Sequence, residues 1–162
     1  MYPWLVFLHV IGVFGFLLAH GASASVAFAL RRERNLERIR ALLNLSSSSL
    51  SALYGFLLLL LITGIVAGFM GQWWSRGWIW VALGLPITLL VAMYVLGSDF
   101  YSEVRKVVGL EFMDGMKPHP PIEPADAQEI DALLAAGRPM LLAVIGFGGI
   151  AVIAWLMMFK PF

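Results

Sequence analysis

Two histidines, His9 and His20, stand inside the first long apolar stretch of the chain. An imidazole can carry a proton, make hydrogen bonds or ligate a metal, haem iron included. The two are eleven residues apart. On a helix that spacing puts them about 20° off one face and about 16.5 Å apart along the axis. They share the face with Gly12, Val13 and Phe16. One metal ion cannot take both, because two axial ligands of one iron stand only about 4 Å apart, from bonds of roughly 2 Å each. Each histidine therefore serves its own site. Counted from Trp4, His9 lies roughly 7.5 Å in and His20 roughly 24 Å in, so they fall in opposite halves of a bilayer. A haem b at each would form a transmembrane electron path, and Gly12 and Gly15 leave room for flat macrocycles. Met70 and Met93 match the depths of His9 and His20 and are the candidate second ligands; five-coordinate haem is the other form. Against this stands a structural reading, in which both rings hydrogen-bond carbonyls or hydroxyls inside a helix bundle. A quinone or another ligand is the third. His119, between Pro118 and Pro120, is expected to be solvated in a loop.

The elements that must position these rings follow from composition. Of the 162 residues, 60% are hydrophobic and 13% charged. Soluble domains are nearer 45–50% and about 25%. That gap argues against a soluble enzyme and against a disordered chain. The net charge of +1, without a basic stripe carrying aromatics, argues against nucleic acid as a partner. Cysteine is absent, so disulfides and thiolate metal sites are excluded. A bilayer core needs about 20 apolar residues of helix. Four segments qualify: about Trp4 to Leu30, Leu50 to Met70, Gly77 to Leu96 and Pro139 to Phe159. The expected fold is all-α, an integral membrane four-helix bundle in one domain, with the lipid bilayer as its first partner. No Asp, Glu, Lys or Arg falls inside any of these spans, which disfavours a transporter or proton relay.

Arginine sets the expected orientation. Arg31, Arg32, Arg34, Arg38 and Arg40 follow the first span, and Arg105, Lys106, Lys117 and Arg138 lie between the third and fourth. The opposite side has only Arg76 and Lys160. By the positive-inside rule both termini face outward and both Arg-rich loops the cytoplasm of a bacterial plasma membrane. Trp4, Trp73, Trp74, Trp78, Trp80 and Trp155 fall toward the outer ends, as an aromatic belt does. Ala22-Ser23-Ala24 mimics a signal cleavage site. A basic n-region is missing, however, and the arginines follow the apolar stretch, so the first span is read as uncleaved.

Arg31 to Leu45 is amphipathic and reads as an extension of the second helix. Ser46 to Ser49 and Ser51 follow, able to bond back along their own helix or across to Ser23 and Ser25. Gly71 to Arg76 predicts a tight hairpin. The long loop, about 97–137, is expected first to prolong the third helix. It should then be broken by the stretch from Met116 to Pro121, and to form a short amphipathic helix over Pro124 to Ala136. Such a loop could dock a partner. Gly64 and Gly68, and Ala143, Gly146 and Gly149, offer small faces for close helix packing. Pro86 predicts a kink.

The pattern Trp4, His9, glycine-bearing apolar residues, His20, then Arg31-Arg32 resembles small bacterial membrane proteins of the copper-resistance-D-like and membrane protoporphyrinogen-oxidase-like type. It is also similar to uncharacterised four-span families around them. The resemblance covers residues 4 to 32. It implies a link to haem or porphyrin, with His9 as the ligand carried over. The competing class is a non-enzymatic accessory or scaffold subunit that binds a larger membrane complex, or a second copy of itself, through its glycine faces and long loop.

Overall fold

The computed structural model describes residues 2–115 and 117–162. The helices are α1 (Tyr2–Leu30), α2 (Leu36–Gly71), α3 (Gly77–Val107), α4 (Ala127–Ala136) and α5 (Pro139–Phe159). A 3-10 turn, Trp73–Ser75, joins α2 to α3. Four helical stretches are long and apolar enough to cross a membrane: α1, α2, α3 and the stretch Ala127–Phe159. Gly137 and Arg138 interrupt the last, and α5 is its apolar part. The molecule is thus a four-helix bundle of membrane-spanning character, with one Arg-rich end and one Trp-rich end.

The bundle is built from two antiparallel pairs. Along α1 and α2, Gly12 lies against the backbone of Leu60, where an added Cβ would meet the Leu60 nitrogen at 3.3 Å. One turn on, Gly15 leaves the space that the Phe56 ring fills. Lipid tails give no hydrophobic drive for helix association, so close approach of small residues supplies the dispersion contacts instead. The second pair is α3 with α5. Gly149 receives the Leu89 side chain, and Trp78, Ile79, Ala82 and Leu156 are buried together at the Trp-rich end. There Trp78 N–H donates to the Phe162 carbonyl at 3.2 Å, and Lys160 Nζ sits 4.5 Å over the Trp73 ring. α3 runs through the buried Pro86 as one helix.

The Arg-rich end holds a core of the kind found in water. Val26, Leu30, Ile39, Leu43, Val104, Val107, Val108, Ile130 and Leu134 are buried in one cluster. It joins the end of α1, the start of α2, the end of α3 and one face of α4. The first helical turn of α2 is capped by Asn35, whose side chain accepts from Arg38 N–H at 3.1 Å, and α4 is capped by Asp126, which accepts from Glu129 N–H at 2.8 Å. Charged side chains tie the loop down. Arg40 Nε donates to the Val108 carbonyl at 2.8 Å, Arg105 Nε to the Glu111 carbonyl at 2.6 Å, and Arg34 pairs with Asp131 at 3.2 Å. The long segment after α3 is a folded cap.

Three expectations are corrected here. Beside the helices, which make up the bulk of the fold as expected, β1 (Phe112–Asp114) and β2 (Lys117–His119) form a short antiparallel ribbon, with Phe112 opposite His119 and Asp114 opposite Lys117. The stretch expected to break structure pairs instead. Asp114 and Lys117 close the ribbon, and Gly115, which follows Asp114, takes a positive φ of 59° of the kind hairpin turns favour. Met116, the first residue of that stretch, lies outside the described residues. His119 is half-buried, stacked on Phe112 at 5.3 Å and 15°. The helix expected from Pro124 begins at Ala127, because Asp126 serves as its cap.

Candidate functional site

His9 lies between α1 and α2. Its Nδ1 is 3.0 Å from Thr63 Oγ1. Thr63 is 3% exposed, and its hydroxyl donates back to the Leu59 carbonyl at 2.7 Å. A hydroxyl has one proton to give. When that proton is on Leu59 or Leu60, the histidine donates through Nδ1–H and keeps its lone pair on Nε2; in the other tautomer the hydroxyl donates to Nδ1. Gly64 makes room for the ring: a Cβ there would come within 3.3 Å of the His9 Cε1. Sequence reasoning passed over Thr63. The available signal was the one hydroxyl in the stretch 55–71 of α2, at the depth of His9.

His20 lies between α1 and α5 and is 7% exposed. Its ring is stacked on Phe16 (6.3 Å, 6°) and meets the edge of Phe147 at 4.8 Å. Gly146 lies directly against the imidazole edge that carries Nε2, so a side chain at 146 would overlap the ring. Nε2 is buried with no hydrogen-bond partner. An unpaired buried ring nitrogen is unfavourable by about 1–3 kcal/mol, which is why such atoms draw attention as sites.

The remaining sequence candidates fall as follows. Met70 is half exposed and stands seven residues beyond Thr63, roughly 10.5 Å farther along α2, so the residue at the level of His9 is Thr63. Met93 is half-buried on α3. The Leu89–Gly149 contact of the antiparallel pair brings it to about the depth of Gly146, and depth alone links it to His20. Gly68 packs on Ile79 and Trp74, while Gly149 serves the α3–α5 pair. The serine run is satisfied locally: Ser47, Ser48, Ser49 and Ser51 each donate to the carbonyl four residues back. Only Ser46 and Ser47 also reach other elements. The Ser46 and Ser23 hydroxyls are 3.4 Å apart, and Arg105 donates to Ser47 at 3.2 Å.

Space decides what these groups can hold. One cavity of about 210 Å³ lies at the Arg-rich end between α1, α3 and α5. An open groove of about 330 Å³ runs between α1 and α2 past Ser48 and Ser49. Neither His9 nor His20 forms part of either wall. The imidazole chemistry of His20 suits a haem iron, but with Gly146 against Nε2 a porphyrin there requires α1 and α5 to part. No group of three or more His, Asp or Glu that could hold a metal ion is found among the described residues. In comparisons with protein-family models, curated proteins and solved structures, nothing matches the chain.

Proposed function

We propose that this chain is a non-enzymatic accessory component of a bacterial plasma membrane, both termini outside, in which the two intramembrane histidines act as latches between helices. The observation that carries this reading is the use each ring already has. His9 ties α1 to α2 through Thr63, and His20 fills the notch that Gly146 opens in α5. α1 is then the element that joins the two helix pairs. The folded cap at the Arg-rich end is the surface offered to partner subunits on the cytoplasmic side. A scaffold of this kind uses its intramembrane rings for contacts between helices and keeps its recognition groups outside.

The test is a double-mutant cycle on His9→Leu and Thr63→Val, read as equilibrium unfolding in detergent. A hydrogen bond between membrane helices gives a coupling of about 0.6 kcal/mol, up to about 1.7. Coupling in that range supports the latch; additive losses would remove it.

A second reading is favoured by one observation, the unpartnered Nε2 of His20. It is haem b binding for electron transfer or a haem-linked role, with His20 or His9 supplying the imidazole and Met93 or Met70 the second ligand. Bound haem would supply one-electron chemistry. The chain's own contribution would be a dry apolar surround and, for His9 in its Nδ1–H tautomer, a ring held by Thr63 with Nε2 free to coordinate.

A further inference from the structure

The cavity at the Arg-rich end has an amphipathic wall. Arg31, the residue after α1, and Arg138, the residue before α5, both line it. So do Tyr101, Leu96 and Leu142. The four ion pairs among the described residues use Arg34, Arg38, Arg40 and Lys106. Arg31 and Arg138 take part in none of them. Two arginines outside those ion pairs, both exposed, therefore line a mostly apolar wall at the point where two apolar helices end. The α5 N-terminus opens on the same space: it has no side-chain cap, and Pro139 and Leu141 line the cavity. Its first N–H groups add positive potential there.

We propose that this cavity binds the phosphate headgroup of an anionic phospholipid. The phosphate sits between Arg31 and Arg138, and the first methylenes of the acyl chains lie on Leu96 and Leu142. Charge complementarity selects an anion. The apolar lower wall, continuous with the lipid-facing helix surfaces, selects one that carries a hydrocarbon chain. Guanidinium recognises phosphate through paired N–H donors, so two of them can enclose one headgroup. The volume of about 210 Å³ suits a headgroup and its glycerol, with the chains continuing into the bilayer. This assignment is independent of the role given to the histidines.

Native mass spectrometry of the detergent-solubilised full chain, titrated with dioleoylphosphatidylglycerol or dioleoylphosphatidylcholine, tests it. The anionic lipid should bind more tightly. Juxtamembrane basic residues contribute about fivefold each, so Arg31→Gln/Arg138→Gln should weaken phosphatidylglycerol about 25-fold and abolish the preference. Arg32→Gln/Arg38→Gln removes the same charge from exposed neighbours and should leave the preference in place. Leu142→Trp keeps both arginines and fills the apolar wall; it should also weaken binding, and it decides the matter if the double arginine variant does not fold. Equal binding of the two lipids would overturn the proposal, as would equal losses in the two double variants. Displacement by millimolar inorganic phosphate would make the site one for a free anion and overturn the lipid assignment.

Discussion

Gly146→Leu should lower the thermal stability of the detergent-solubilised protein substantially, and His20→Ala in the same chain should restore much of the loss. A side chain at 146 overlaps the imidazole, which has little freedom to turn away because Phe16 is stacked on one face and Phe147 meets it edge-on. Overpacking of this kind destabilises by about 1–3 kcal/mol, and the obstacle here is a ring rather than the end of a flexible chain. The relief by His20→Ala is the diagnostic part, since it assigns the loss to this one contact. Gly148→Leu is the control. Its Cβ position has open space around it, and that variant should melt within about 0.5 kcal/mol of the parent.

Ile39→Ala should be at least as damaging, and in a different place. Ile39 is 1% exposed, in the cluster that joins α1, α2, α3 and α4. Truncating a buried isoleucine to alanine removes about 2–5 kcal/mol, by lost transfer free energy and by the cavity left behind. The loss should appear as faster hydrogen exchange in α4 and the β1–β2 ribbon, with the Trp-rich end of α5 unchanged. Leu58→Ala provides the contrast. Leu58 is 60% exposed on a helix that faces lipid, where burial from water is not at stake, so its unfolding midpoint should barely move. If Ile39→Ala left exchange in α4 unaltered, the cap would not be a cooperative unit.

The four long helices were legible because bilayer thickness imposes a minimum apolar run, and each run here meets it. That α2 and α3 run on past their apolar cores was legible as well, although α2 starts at Leu36 rather than Arg31, because Asn35 caps it. Partner assignments were not. Gly146 and Gly149 read as one small-residue face, yet three residues turn a helix by about 300°. The two glycines diverge by the remaining 60°, so Gly146 faces α1 and Gly149 faces α3. Thr63 was hidden by a separation of 54 residues from His9, a contact that only the antiparallel register of α1 and α2 creates. The ribbon was missed because Pro118, Pro120 and Pro121 outweighed the turn signal at Gly115. A proline on an edge strand is tolerated, and Pro118 occupies such a place, opposite Met113. That His20 lies on the first helix followed from simple counting. Its neighbour did not, since a glycine carries no polar signal to pair with an imidazole.

The most direct test of the histidine latches is a dithionite-reduced minus oxidised absorption spectrum of the protein purified from haem-replete cells, beside the His9→Ala and His20→Ala variants. The latch account predicts a flat spectrum for all three, with both variants less stable than the parent. A haem signal in the parent that disappears in either variant would contradict it and make that histidine an axial ligand.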